Sequence, residues 1–419
     1  MIAPPPNAAR ILTIEAAAGA FLAVATSFGA FFALKLGATD AEIALLSALP
    51  ALLALCVTIP AGRLISRHAR PARLLAVHQL AQRGLIVLIA LTPLLPLIAQ
   101  PHAVVALLIL ATLPAQVAGI AIGVTLADAI VETERARVVA WRSMAAAAVT
   151  AAGLFLAGRW LETQPFPGGY QKLYALAFAG SLVGVIALLR LAARQPLRAA
   201  PAEAPVRPAM RGSRIEQARA ILRNHAEFAR ITVNTLAHAL GLWLVAPLYV
   251  LYYAKALGAT ASWIGLNGTL ASLTPIIGFL AWQRIVRVKG ENRVLVWTIS
   301  AVGLYPLLVG LTPNLTVILV WTALNGLLAP GLTVSHYPML LKICPAEQRA
   351  FYLGIYSAVM GGFAFLLPLL GVRLSEIVGI RPVLIAGGLL CLLGSMSFRL
   401  RPLTMPDSMR SVFPSPRRP

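Results

Sequence analysis

The sequence predicts an all-α, polytopic membrane protein with twelve transmembrane helices in two six-helix halves. Three observations carry this. Of 419 residues, 59% are hydrophobic and 12% charged, about half the charge of an ordinary soluble chain, and a mean hydropathy of +0.82 excludes a soluble globular enzyme. The apolar residues come in long blocks, such as Ile86 to Ala99 and Val104 to Gly123, and runs near 20 residues match the hydrocarbon thickness of a bilayer. Short identities also recur at a nearly fixed offset along the chain.

Between charge and Pro/Gly clusters the spans fall at residues 11–36, 41–62, 74–98, 103–130, 138–161, 172–193, 231–256, 261–282, 294–311, 315–341, 350–371 and 382–400. No run of alternating ten-residue segments, the mark of a membrane β-barrel, is present in the sequence. The first apolar stretch is too long for the core of a cleaved signal, so the first span is expected to stay as a signal anchor.

The net charge of +21 would fit a nucleic-acid binder, but its distribution reads as a topology signal. Under this span model 28 of 35 Lys and Arg residues lie on one side, six lie opposite (Lys35, Arg159, Lys172, Lys255, Arg373 and Arg381), and Arg83 lies within a span. Both termini and the central loop are therefore expected in the cytoplasm, the chain in the inner (plasma) membrane, and nucleic acid is not expected as a partner. Cys56, Cys344 and Cys391 show no CxxC spacing, so neither disulfides nor a metal site is expected.

LGAT at 36–39 returns at 257–260, an offset of 221, where Arg63 also meets Arg284 and Leu74 meets Leu295. Arg135, Ala136 and Ser143 match Arg349, Ala350 and Ser357 at an offset of 214. Both copies follow an outward-running span, so the halves share one topology and are related by an axis along the membrane normal. The expected organisation is a first half at 1–193, a cytoplasmic linker at 194–230, a second half at 231–400 and a tail at 401–419. The linker begins Pro/Ala-rich, as flexible or polyproline-like chain. From Ser213 it reads as an amphipathic helix, with a Ser213/Glu216 capping box, Ile215, Leu222 and Phe228 on one face, and Arg214, Arg219 and Arg223 available to lipid phosphates. A solvated linker helix with no lipid role fits the same pattern.

The turn after the second span reads GRLISRHARPARLL from Gly62. It resembles the loop 2–3 signature of the major facilitator superfamily, GxLxDRxGRR, at Gly62, Leu64, Arg67 and Arg70. It departs at Ser66 for Asp, Ala69 for Gly and Pro71 for a basic residue. The fourth span ends LADAIVETERARV, similar to the family's ADxxPxxxRG at Asp128 and Arg135 but without the Pro. The second-half copy keeps Arg284 and Gly290. With twelve spans, a parallel repeat and a central loop, the resemblance covers essentially the whole chain. It implies a secondary transporter without cofactors, not an enzyme, that rocks two halves about a central path. It also implies a cytoplasmic gate built from Gly62, Arg63, Ser66, Arg67, Arg70, Asp128 and Arg135, with Arg67 or Arg70 clasping Asp128 when the cavity faces outward. Gly62 is expected to let the second and third spans approach closely. Arginines that only fix topology are the alternative.

Ionisable residues within spans are costly and so mark function by default. Glu15, Asp128, His238 and His336 fall on spans 1, 4, 7 and 10, which line the cavity in the resembled family, and are the proton-coupling candidates. Glu15 leads them, since a carboxyl in an apolar cleft exchanges protons near neutral pH; pairing with Arg10 or a cytoplasmic arginine is its other reading. For the histidines the other reading is hydrogen-bonded packing. Arg83 is expected to partner a buried acid or helix end. Asn234, Trp243, Tyr249, Asn325 and Tyr337 offer aromatic walls and a few hydrogen bonds for a substrate cavity, while Tyr252 and Tyr253 are expected in the interfacial belt. Pro247, Pro330–Gly331 and Pro338 are breaks that serve as hinges or merely bend their helices.

Scarce buried charge points to a small neutral, amphipathic or lipid-like solute, with protons as the candidate coupling ion. The drug/proton antiporter branch carries a Gly/Pro motif in helix 5, and here that span has Gly153 and Gly158 without the proline. A monomer in the lipid bilayer is expected. A transporter-fold assembly factor or sensor without transport is the alternative function.

Overall fold

The computed structural model describes residues 7–194, 216, 219, 221, 223–345 and 348–400. Among these all regular structure is helical, and twelve helices are long and apolar enough to cross a membrane. They are α1 (Ala8–Lys35), α2 (Asp40–Arg67), α3 (Pro71–Leu94), α4 (Ala99–Ala129), α5 (Glu132–Thr163) and α6 (Gly168–Arg194), then α7 (Ala226–Ala256), α8 (Ala261–Lys289), α9 (Glu291–Leu311), α10 (Leu315–Ile343), α11 (Arg349–Val378) and α12 (Ile380–Leu400). Several outrun their apolar cores: α2 continues to Arg67 and α8 to Lys289. Charged residues end the apolar run, but backbone hydrogen bonds carry the helix on beyond it. Gly62 accordingly lies inside α2, and a Cβ built on it meets nothing within 4 Å. The expected close approach of α2 and α3 at Gly62 is therefore absent, and the turn begins six residues later, at His68–Arg70.

The repeated LGAT has a physical basis. Gly37 and Gly258 adopt φ of 95° and 64°, which only glycine reaches without penalty, and so terminate α1 and α7. The next residue's N–H turns back onto the ending helix, from Ala38 to Ala33 O and from Ala259 to Tyr253 O. Thr39 then caps the Glu42 amide to start α2, and Thr260 caps the Trp263 amide to start α8. Four residues thus end one helix and begin the next, in both halves alike.

Within the halves α1 packs on α5 and α6 as α7 packs on α11 and α12; across them α5 meets α8 and α2 meets α11. The start of α1 and the end of α12 lie on one face with the turn at His68–Arg70 and the arginine-bearing start of α5, here called the basic face. The buried apolar residues form three clusters. The largest lies toward the opposite face and draws on both halves, from Phe28, Phe32, Leu154 and Leu161 to Leu244, Leu248, Tyr252 and Leu384. Toward the basic face the core divides into one cluster of first-half residues, including Leu12, Leu75 and Leu188, and one of second-half residues, including Ile299, Leu340 and Phe398. Of the expected linker helix, Ser213, Arg214, Ile215 and Leu222 lie outside the described residues. Glu216, Arg219 and Arg223 are exposed, and Ile221 is buried with Phe228 in the second-half cluster.

Candidate functional site

The apolar core is shared between the halves at one face and divided at the other, so the halves are sealed together away from the basic face and part toward it. The seal is made of backbone contacts and a few polar bonds. A Cβ on Gly158 of α5 would lie 2.8 Å from Ala261 O, and one on Gly265 of α8 would strike Leu154 O, so the two helices touch through their main chains. The Thr269 hydroxyl donates to Ala151 O at 2.9 Å, and the Ser262 amide at the start of α8 donates to Glu162 at 2.9 Å. Lys255 at the end of α7 pairs with Asp40 at the start of α2, 2.5 Å apart. Each of these bonds joins one half to the other.

On the basic side the first half holds a buried charged network. Glu15 accepts from Arg142 Nη2 at 2.7 Å and from Gln79 Nε2 at 2.5 Å, while Arg142 Nε donates to Leu12 O at 3.1 Å. Arg83 donates to the Gln79 carbonyl at 3.0 Å and is 1% exposed. Helices α1, α3 and α5 are thereby tied together, with both carboxylate oxygens engaged. Arg142 escaped the sequence reading because it was counted among the topology charges, although it lies inside the 138–161 span and so carried the same signal as Glu15.

The second half places neutral groups at the equivalent level. The Thr235 hydroxyl and His336 Nε2 are 2.8 Å apart, Tyr356 hydrogen-bonds Thr235, and the three side chains are half-buried among α7, α10 and α11. Thr235 and Tyr356 carry no charge to single them out in a sequence. His238 points elsewhere: its Nδ1 bonds Cys391 O at 3.1 Å and its ring meets the Gly303 site, so it fills the seam of α7, α9 and α12. Asn234, 1% exposed, donates to Ser397 O of α12. Neither faces the space between the halves, because both lie on the side of α7 that packs against α12.

Toward the sealed face Tyr249 packs against Tyr253 and Tyr305, and a chain of hydroxyls runs from Tyr253 to Tyr305, Thr322 and Asn267. Tyr252 donates to Thr312 O at 3.0 Å. Tyr252 and Tyr253 are 0% and 5% exposed, so the expected belt position is corrected: the π turn at Tyr252–Ala256 rolls both rings into the core. Trp243 is half-buried, Asn325 Oδ1 is buried without a partner, and Tyr337 is exposed. In the first half a cavity of about 190 Å³ is lined by Thr26, Ala30, Leu46, Pro50, Leu108, Ile109 and Thr112 of α1, α2 and α4. Its walls are uncharged, and both threonine hydroxyls donate to their own helices.

Of the gate residues, Ser66 donates to Arg63 O at 3.0 Å, and Arg135 closes the end of α4 through Ala127 O at 2.7 Å and Ile130 O at 3.0 Å. A guanidinium on the last carbonyls complements the helix dipole. Asp128 is exposed at that same end, Arg67 is exposed, and Arg70 is half-buried. Among the described residues no cluster of His, Cys, Asp and Glu could hold a metal ion.

The family model "Major Facilitator Superfamily" matches residues 231–415. Two uncharacterized MFS-type transporters of Mycobacterium tuberculosis are each 26% identical over 157 residues, 37% of this chain. That match spans about a fifth of their own length, 22%. Among solved structures, a nucleoside transporter NupG mutant superposes with a TM-score of 0.68 at 13% identity, over 94% of this chain and 99% of that one. A bacterial homologue of the iron transporter ferroportin, inward-facing, gives 0.68 at 15%, over 94% and 97%. A bacterial homologue of the lysosomal transporter Spinster, also inward-facing, gives 0.65 at 13%, over 94% and 95%. The second half thus carries the sequence pattern of the Major Facilitator Superfamily model, and the fold over nearly the whole described length is similar to that of these solved transporters.

Proposed function

We propose that this protein is a secondary transporter that moves a small neutral, amphipathic or lipid-like solute by alternating access, and that the structure is its inward-open state. The observation that supports the reading most is the apolar core, continuous between the halves on one face and divided on the other. Basic loops favour the cytoplasm, which makes the divided face the inner one and the Asp40–Lys255 side the outer gate. Both termini then lie in the cytoplasm. The uncharged cavity and the neutral Thr235, His336 and Tyr356 favour a substrate without net charge, since the buried charges of the first half are committed to one another.

Coupling to protons would run through Glu15, and it requires Arg142 to withdraw during the transition. Reconstitution into liposomes tests both parts. Flux of one member of a solute library, first selected by thermal shift, is the expected result, and no flux for any stabilising solute would reject transport. Glu15→Gln, checked for folding by thermal unfolding because it leaves Arg142 unpaired, should abolish accumulation driven by a pH gradient while leaving downhill exchange, because an amide keeps the shape but carries no proton. Unchanged gradient-driven uptake would reject Glu15 as the carrier.

A further inference from the structure

A groove of about 410 Å³ lies between the first two turns of α1 and the second and third turns of α5, toward the basic face. Arg10 and Thr13 stand on one wall; Arg137, Val138 and Trp141 stand on the other. Thr13 donates to Ala9 O and so turns its hydroxyl to its own backbone. Arg137 bonds Glu134 at 2.6 Å, and both side chains remain largely open. That bond uses a fraction of the five N–H donors of a guanidinium. Arg10 has no hydrogen bond or ion pair among the described residues. The other charges close by, Glu15 and Arg142, face each other one turn deeper. Farther along the same two helices the exposed residues turn apolar, at Ile14, Trp141 and Met144.

This order, cations at the mouth, then an indole, then aliphatic side chains, follows the cross-section of a leaflet from phosphate to acyl chain. We propose that the groove binds the phosphodiester headgroup of an anionic phospholipid from the leaflet on the basic face. Arg10 and Arg137 would hold the phosphate oxygens, and Trp141 would lie against the glycerol and the first methylenes. An amphiphile fits better than a free anion because the apolar stripe continues below the arginines and the groove is several times the size of a phosphate. The bound lipid would brace α1 against α5 directly above the Glu15–Arg142 pair.

The test uses the full-length protein, purified and delipidated in detergent, with retained lipid counted by native mass spectrometry. Phosphatidylglycerol should be held about thirtyfold more tightly than phosphatidylcholine of the same chains, as two interfacial arginines would give. Arg10→Gln with Arg137→Gln should remove that preference, while Arg159→Gln with Lys172→Gln, on the opposite face, should keep it. Thermal unfolding of each variant checks that it is folded. A preference that survives in the Arg10/Arg137 variant would overturn the assignment. Glycerol 3-phosphate is the final arm: displacement of the lipid by it at millimolar concentration would show a soluble-anion site and also overturn the proposal.

Discussion

The two halves solve one packing problem with different chemistry. Arg142 of α5 and Tyr356 of α11 stand at the repeat offset of 214, and Glu15 of α1 and Thr235 of α7 at 220, one residue from the 221 of the LGAT turns. In the first half this joint is a carboxylate and a guanidinium with a glutamine and a second arginine behind it; in the second it is a hydroxyl, a phenol and an imidazole. A buried ion pair tolerates no loss of one partner, whereas a neutral hydrogen bond can be lost for little. Equal folds can therefore hold unequal interiors: α1 and α5 are joined by a buried ion pair, and α7, α10 and α11 by neutral bonds that cost less to break.

The sharpest way to break this comparison is Arg142→Met. It strands Glu15 and should cost about 3–5 kcal/mol of stability, seen as a large fall in unfolding temperature, and Glu15→Gln added to it should restore part of the loss. A small effect of Arg142→Met alone would mean that the first half is no more locked than the second.

The two inter-half seams give a second contrast. Gly265→Ala forces α8 from α5 at Leu154 O, while the Cβ of Gly361→Ala would sit 3.9 Å from Ala51 O, in ordinary contact. The first should disfavour the present state by about 1–3 kcal/mol, more than about a fivefold population change. The second should do nothing. Spin-label distances between the basic-face ends of α4 and α10 report both, and equal distributions for the two variants would erase the asymmetry.

Thr235→Val and Tyr356→Phe should each cost only about 0.6 kcal/mol, measured by the same unfolding assay as Arg142→Met. The smallest effect is expected from Asp40→Asn. Its bond to Lys255 is partly exposed, at 26% and 47%, and is worth about 0.5 kcal/mol, or a twofold shift toward the outward-open state on the same distance measurement.

Much of the fold was legible because membrane helices announce themselves by length and apolarity, and because LGAT encodes a helix stop and a helix start in four residues. Helix ends were less so: Arg67 and Lys289 are charged and yet helical, since the bilayer limits hydrophobic length and not helix length. The site was legible only where charge stood out, as at Glu15 and Arg83. Whether His238 or His336 faces the space between the halves depends on small differences in angle around α7 and α10. The π turn that buries Tyr252 and Tyr253 likewise has no mark in composition. Thr26, Thr112, Thr235 and Tyr356 are common residues, and their placement emerges only from how the helices cross.

The glycine contact between α5 and α8 has a mechanical consequence. Gly265 lies four residues from the start of a 29-residue helix, so about 36 Å of rigid rod extends beyond it toward the basic face. Main chain against main chain leaves no flexible side chain to absorb a displacement, so the contact behaves as a stiff fulcrum close to one end of a long lever. Rocking by about 10° at Gly265 would carry the far end of α8 through about 6 Å, comparable to the width of a small solute, while the fulcrum itself moves by a fraction of an ångström.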